Sequence, residues 1–387
     1  MKEMEKIRCV IMRGGTSKGI FLMGNDLPRD KEMCDKVILS IFGSPDVRQI
    51  DGLAGADPLT SKLAIISPSS RTDADVDYTF GQVSINSPKI DYKGNCGNIS
   101  AAIGPFAIDE GLVRAGETMT KVRIYNTNTD KIIVADVPTV DGKAAVIGDC
   151  KVDGVPGTGA KIMLNYSNTV GAFTKKMLPT TNPIDILEVP GCGAIKVSIV
   201  DVANPMVFIK AEDIGLMGTE TPQEIDGNSD LLNLLERIRG AAAVKIGMAK
   251  SIDSATSESP ALPMIAFVNK PADYSDFTTG NLIKANAVDF VSRLMFMQIT
   301  HKTYAGTASV CTACAAKIPG TVVYEVTNSP EEKKQIRIGH PAGVIEVESD
   351  AKYDDGQTEI TRAAISRTAR RIMDGNVYIR SSVFNRD

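Results

Sequence analysis

Two stretches with no polar face constrain this 387-residue chain more than anything else in it. The first is Gly94-Asn95-Cys96-Gly97-Asn98, followed by Ile99-Ser100-Ala101-Ala102-Ile103-Gly104-Pro105-Phe106-Ala107-Ile108 and ending at Asp109-Glu110-Gly111. It predicts a tight turn and then a short helix from about Asn98 to Gly111, since Asn98 is a good N-cap type and Gly111 a good C′ residue. Pro105 weakens that helix and can kink it. A helix that is apolar all round offers no side to water, so it must be buried on every side and the chain built around it. The second stretch, Tyr304-Ala305-Gly306-Thr307-Ala308-Ser309-Val310-Cys311-Thr312-Ala313-Cys314-Ala315-Ala316-Lys317-Ile318-Pro319-Gly320, repeats the arrangement about 210 residues later. Two such helices predict two similar halves, although the residues themselves share little.

Most of what surrounds them reads as short strands. In the first half these are 7–12 and 20–23 around the turn Arg13-Gly14-Gly15-Thr16-Ser17-Lys18-Gly19, then 60–67, 78–85, 120–127, 131–138, 143–150 and 160–167. An amphipathic helix is expected over 30–42, with Met33, Val37, Ile38 and Ile41 on one side. The second half opens near residue 186 with strands 186–189, 195–202 and 206–209, a helix over 228–250 and a strand over 263–268. Residues 283–298 carry apolar side chains at helical spacing, and 322–326, 336–338 and 344–347 read as strands. A polar helix is expected near 360–374, with a strand over 368–373 as the alternative, and a last strand at 377–379. The domains so drawn are 1–185 with a C-terminal strand from 375–387, and 186–374.

A formal net charge of -4, with no basic block of five or more residues, argues against a nucleic-acid partner, and no segment reaches the length of a membrane span. Seven irregularly spaced cysteines without a signal peptide predict reduced thiols and a cytoplasmic location. Cys311 and Cys314 form a C-x-x-C, but with no second pair and only His301 and His340 in the chain they predict buried filler rather than a zinc site. The edges of so many strands need cover, which predicts a homo-oligomer.

Three places carry chemistry. Cys96 stands at the mouth of the first apolar helix, where free N–H groups and the helix dipole favour a thiolate or a bound carboxylate. The turn from Arg13 to Gly19 reads either as an anion-binding nest or as a plain hairpin loop. Lys62 adjoins an apolar strand just after a Gly-rich loop, where desolvation makes a lysine a candidate base.

Taken together, Arg13-Gly14-Gly15-Thr16-Ser17-Lys18-Gly19, Asp51-Gly52 with Ser61-Lys62, and Gly94-Asn95-Cys96-Gly97-Asn98 with Ser100-Ala101-Ala102 resemble the PrpF-type isomerases. Gly306-Thr307-Ala308-Ser309 and Gly339-His340-Pro341 extend the resemblance over nearly the whole chain. It implies an α+β, diaminopimelate-epimerase-like fold: two pseudo-symmetric β-barrel-like domains, each wrapped around a central helix. In the epimerases a Cys at each helix mouth forms an acid/base pair. Cys96 resembles the first of these, while Ser309 stands where the second thiol would be. That departure argues against two-thiol epimerisation of an amino acid and makes Lys62 the natural partner of Cys96 in proton transfer, with acid and base unassigned. Substrate contacts are expected from Thr16, Ser17, Lys18, Gly97, Asn98, Ala308 and Ser309, and from His301 or its neighbour Lys302. The resemblance implies a cofactor-independent 1,3 proton shift in a small unsaturated di- or tricarboxylate, without metal, nucleotide or redox group. The loop Ala54-Gly55-Ala56-Asp57-Pro58-Leu59 is less Ser/Thr-rich than expected of methylaconitate enzymes. That favours conversion of 3-methylitaconate to 2,3-dimethylmaleate over 2-methylaconitate isomerisation or oxalomesaconate tautomerisation. Outside the enzymes, the rival reading is a non-catalytic carboxylate-binding protein.

Overall fold

In the computed structural model, which describes residues 3–354 and 357–385, the chain forms two units. Unit 1 comprises Met1–Lys151, Gly157–Leu164 and Arg367–Asp387; unit 2 comprises Val152–Pro156 and Asn165–Ser366. The sequence boundaries at 185/186 and 374/375 lie elsewhere, and residues 386 and 387 of the expected C-terminal strand lie outside the described residues.

Unit 1 opens on strands β1 (Met4–Gly14) and β2 (Ser17–Met23), an antiparallel hairpin closed by Gly15 and Thr16. Gly15 takes φ +50°, a left-handed conformation that suits glycine. Helix α1 (Lys31–Phe42) follows; the Asp30 carboxylate accepts from the Met33 N–H at 2.9 Å, and Gly43 ends it at φ +78°. Then come β3 (Lys62–Pro68), β4 (Val76–Val83), the short β5 (Ile90–Asp91), helix α2 (Gly97–Asp109), β6 (Met119–Asn126) and β7 (Lys131–Val140). Strand β2 runs parallel to β3, β3 is antiparallel to β4, β4 is antiparallel to β5 and parallel to β6, and β6 is antiparallel to β7.

Alternation along these strands sorts the residues between two helices. Ile20, Leu22, Leu63 and Val83 join Val37, Ile38, Ile41 and Phe42 of α1 in one buried cluster. The intervening residues face α2, as the Phe21 and Phe106 rings show with centroids 5.7 Å apart. Helix α2 contacts β1, β2, β3, β6 and β7, and every residue from Gly97 to Ile108 is buried, as an all-apolar helix requires. Its C-terminus is a Schellman motif: the Leu112 N–H reaches the Ala107 carbonyl and the Gly111 N–H the Ile108 carbonyl, with Gly111 at φ +73°. Close approach explains Gly14, where a Cβ would lie 2.3 Å from the Asn98 carbonyl oxygen.

Unit 2 repeats the plan. Its elements are β8 (Asp185–Val189), β9 (Gly193–Val202), β10 (Asn204–Lys210), α3 (Ser229–Lys245), β11 (Met264–Asn269), β12 (Phe290–Phe296), β13 (Ile299–Thr300), α4 (Gly306–Ala315), α5 (Val322–Val326), β14 (Gln335–His340), β15 (Gly343–Asp354) and β16 (Gln357–Arg367). Strand β9 turns through Ala203 into β10; β10 is parallel to β11, β11 antiparallel to β12, β12 antiparallel to β13 and parallel to β14, and β14 antiparallel to β15. The order and sense of pairing match β1 to β7. Helix α4 is buried at all ten residues among β9, β10, β14 and β15, and α3 covers the other face. The last strand, β17 (Ala369–Arg380), returns to unit 1 and pairs with β1, as β8 pairs with β9.

Several expectations are corrected. Residues 290–296 form a strand, not a helix: a continuously buried run gives no periodic signal to separate the two, and β11 and β14 claim its two edges. Residues 322–326 form a helical turn, because the Thr321 hydroxyl accepts from the Tyr324 N–H and outweighs the β propensity of three valines. The polar helix near 360–374 is replaced by β16 and by β17, the latter taking in 369–373 of the alternative strand over 368–373, and along β17 the polar residues alternate toward one solvent face. Within 143–150 only Lys143–Ala144 and Cys150 are strand. Asn98 is not the N-cap; Cys96 is, and it caps with no side-chain hydrogen bond.

Candidate active site

The first intrahelical bond of α2 runs from the Ser100 N–H to the Cys96 carbonyl at 2.8 Å, so the N–H groups of Gly97, Asn98 and Ile99 have no acceptor within the helix. The Cys96 thiol stands at that terminus, buried and free of any disulfide. Asn98, in the first turn, is locked from both ends: its Nδ2 donates to Thr16 Oγ1 at 3.0 Å, and its Oδ1 accepts from Arg367 Nε at 3.0 Å. The hairpin tip is thereby tied to the helix mouth. Two N–H groups of the tip are closed to an anion, that of Gly15 by the Thr368 carbonyl and that of Lys18 by the Leu59 carbonyl, both at 2.9 Å.

Register places the remaining candidates. Gly19 of β2 lies opposite Lys62 of β3, and Lys62 lies opposite Gln82 of β4. Ser17, Lys62 and Gln82 therefore share the face of the sheet turned to α2. Lys62 is only 3% exposed; its Nζ donates to Gln82 Oε1 at 2.8 Å and sits 5.5 Å from the Phe80 ring centroid. The Ser17 hydroxyl is 2% exposed and has no hydrogen-bond partner among the described residues. Lys18, expected at the site, falls on the opposite face by alternation, its ammonium beside Gly55. Unit 1 thus sets Thr16 against Asn98 beside Cys96 and Gly97 at the mouth of α2, and Ser17 and Lys62 on the face of the sheet turned to that helix, with Lys18 on the other face.

The candidates of unit 2 sit differently from expectation. Helix α4 begins at Gly306, so Ala308 and Ser309 lie inside its first turn rather than at its mouth. The Ser309 hydroxyl donates to the Gly306 carbonyl at 2.8 Å. By position in the helix, the counterpart of the N-cap Cys96 is Ala305. The tie between hairpin and helix recurs with its partners exchanged: Asn204 of the hairpin donates through Nδ2 to Thr307 Oγ1 of α4 at 2.9 Å. His301 is buried, its N–H bonded to the Leu294 carbonyl and its Nδ1 3.4 Å from Thr303 Oγ1, whereas Lys302 is exposed. His340 accepts from the Ala342 N–H at Nδ1, so its neutral ring carries the proton on Nε2. Cys311 and Cys314 are fully buried in α4, and burial pushes both thiols up, that of Cys314 to about 12. They are filler, as expected. Among the described residues no cluster of three or more His, Cys, Asp or Glu is arranged to hold a metal, and no helix is long and apolar enough to cross a membrane.

Sequence reasoning missed Gln82 and Arg367. A signal existed for Gln82, a polar residue in phase with Tyr78 and Phe80 on the apolar side of an alternating strand. None existed for Arg367, whose segment read as helix.

Comparison with known proteins follows the same lines. A family model described as PrpF protein matches residues 4–380. The chain is 62% identical over 379 residues to 3-methylitaconate isomerase of Eubacterium barkeri, covering 98% of both chains. It is 39% identical over 387 residues to 2-methyl-aconitate isomerase of Shewanella oneidensis, covering 97% of both. The crystal structure of a methylitaconate-delta-isomerase matches with a TM-score of 0.82 at 60% identity, over 100% of this chain and 98% of that one. A hydroxyproline epimerase from Agrobacterium vitis matches with a TM-score of 0.58 at 10% identity, over 97% and 93% of the two chains, which shows the epimerase fold.

Proposed function

This chain belongs to the PrpF family of isomerases, and from that premise we propose that it moves a proton across an allylic system in a small unsaturated dicarboxylate, interconverting 3-methylitaconate and 2,3-dimethylmaleate. The choice of methylitaconate over methylaconitate rests on the much higher identity to the isomerase of the former. The observation that carries the assignment of roles is the buried Lys62 amine on the α2 face of the sheet, in line with the unpartnered Ser17 hydroxyl.

In methylitaconate the hydrogen on C3 is both allylic and α to a carboxylate. One proton-transfer group removes it, and the negative charge spreads over the C3 carboxylate and the allylic carbons. The double bond moves from the methylene to C2=C3, and the former methylene carbon takes up a proton to become a methyl group. We assign the two transfers to Lys62 and Cys96, general acid–base groups of the kind such a step needs. The charge that develops is suited to the N–H groups at the N-terminus of α2, donors fixed in place before the reaction begins. Ser17 and Thr16, with the backbone N–H groups of Gly97 and Asn98, serve substrate binding in this reading. In unit 2, Ala308 in the first turn of α4 keeps its place as a carboxylate-binding candidate, together with Ser309 and His301.

Proton NMR of the purified protein in D2O with 3-methylitaconate and no added cofactor tests the reading. Loss of the methylene signals with deuterium entering a new methyl group is expected. A methylitaconate spectrum that stays unchanged while 2-methylaconitate is converted overturns the choice of substrate, and conversion of neither overturns the activity.

A further inference from the structure

We propose that Gln82 is a positioning residue for Lys62, holding the amine in the candidate site through a neutral acceptor whose orientation is fixed by the backbone behind it. The proposal rests on the reading of Lys62 as a proton-transfer group.

The geometry of the amide carries the argument. Gln82 is 2% exposed, and its Nε2 donates to the carbonyls of Pro58 and Ser61, both at 3.2 Å. Those carbonyls only accept, so turning the amide over would set Oε1 against two oxygens and Nε2 against the Lys62 donor. Oε1 must therefore face Nζ, which it meets at 2.8 Å. The loop supplying the two carbonyls is itself braced: Gln49 Oε1 accepts from Ser61 Oγ and from the Ala56 N–H, both at 2.8 Å, and Gln49 Nε2 donates to Ser44 Oγ at 3.1 Å. Two buried glutamines thus lock the entry to β3 and, with it, the first residue of that strand.

Unit 2 shows that the fold plan does not require a polar pair at this place. The parallel ladder of β10 and β11 begins at Met206 and Met264, as that of β2 and β3 begins at Gly19 and Lys62. Extending the pairing of Ile265 with Met295 by one residue sets Met264 opposite Phe296, which in turn pairs with Ile299. The line Lys62, Gln82 and Asp91 across β3, β4 and β5 is therefore Met264, Phe296 and Ile299 in unit 2. One unit builds the line apolar; the other buries a lysine there and gives it an amide.

The choice of amide has a chemical consequence. A carboxylate opposite Lys62 would favour the ammonium form. A carboxamide oxygen accepts a hydrogen from Nζ whether or not the amine carries its extra proton, and it takes no proton itself. The other ionisable groups on the elements around Lys62 are Cys96 and Asp109 at the two ends of α2, Tyr78 and Asp77 on β4, Asp91 on β5, Asp51 and Asp57 in the preceding loop and, on the far face of β2, Lys18.

The test compares Gln82→Met, Gln82→Glu and Lys62→Ala with the unaltered protein, using 3-methylitaconate and following kcat and KM from pH 6 to 10, with melting temperatures as the control for folding. Gln82→Met fills the same space without an acceptor; kcat should fall about tenfold or more while KM changes less than about threefold. Gln82→Glu should move the limb of the kcat/KM profile that Lys62 sets, the acidic one where it is the base and the basic one where it is the acid, up by about one pH unit or more. This readout is internal to the variant and serves even if Gln82→Met melts early. An unmoved limb, with Lys62→Ala inactive, overturns the role of Gln82 and leaves that of Lys62 standing. A Lys62→Ala variant that turns over at a near-normal rate overturns the premise and the proposal together.

Discussion

A hydroxyl buried without a partner costs stability, of the order of 1–3 kcal/mol, and persists only where something else requires it. Ser17 is such a group, on the same face as Lys62. Ser17→Ala should therefore leave the melting temperature unchanged or slightly raised, while kcat/KM falls about tenfold, the loss of roughly one hydrogen bond to substrate. Calorimetry and steady-state kinetics on the same preparation check this. A variant that melts several degrees lower and turns over normally would show the hydroxyl to be structural. Asn98 illustrates the opposite use of polarity. Both ends of its amide are occupied, by Thr16 and Arg367, so it holds the hairpin against the helix. That tie explains why a residue with good N-cap chemistry is found two places inside the helix.

At the scale of elements, the parallel junction of β12 and β14 depends on one carboxylate. Asp289, immediately before β12, is buried and accepts from the Arg337 backbone N–H and Nη2, both at 2.8 Å, with Lys333 Nζ at 3.1 Å. Burial alone would raise the Asp289 carboxyl; the Arg337 and Lys333 contacts outweigh it and hold it below the usual carboxylate range. A depressed folded-state value means that the stabilisation is present above about pH 4 and is lost as pH falls through the folded value. Asp289→Asn should therefore cost about 2 kcal/mol at pH 6, and the gap to the unaltered protein should narrow toward pH 3. Urea unfolding of both proteins at the two pH values measures it; a gap that does not change with pH would remove the carboxylate's charge from the account. A buried cation, Arg293, shows what a strand in this core tolerates. Its guanidinium donates to the carbonyls of Glu220 and Ser292 and lies over the Tyr274 ring, and burial pushes it down to about 10.

At the scale of the whole molecule, the two units share one order of strands and helices, one pattern of parallel and antiparallel pairing and one hydrogen bond from hairpin to helix, with Asn and Thr exchanged. These are the marks of a duplicated plan whose chemistry has been divided. Lys62 and Cys96 of unit 1 correspond by position to Met264 and Ala305 of unit 2. Ser309 lies a turn beyond the mouth of α4, so by position it is not the counterpart of Cys96. The expected homo-oligomer remains a proposal, supported by the exposed apolar residues Val47, Ile50 and Tyr378, each more than 60% exposed, and by Met4, which lines one groove with Tyr378. Light scattering on a sizing column should return a multiple of the 41.3 kDa chain; a monomer mass at micromolar concentration would overturn it.

Patterns that depend on neighbours in the chain were legible in the sequence. The helices Gly97–Asp109 and Gly306–Ala315 had to be buried because no side of them is polar, and the family motifs run along contiguous residues, so both the fold class and the family could be read directly. Lys62 and Cys96 could be named because one stands beside an apolar strand and the other at a helix start. What depends on register could not be read. That Gln82 lies opposite Lys62, that Lys18 faces away from Ser17, and that Arg367 closes on Asn98 from 269 positions along the chain follow from pairings between distant strands. The same holds for residues 290–296 and 322–326, where burial on both edges and a single Thr cap overrode local propensity. Apolar periodicity is a property of a segment; which residue lies across from which is a property of the folded sheet, and the candidate site is built from the second.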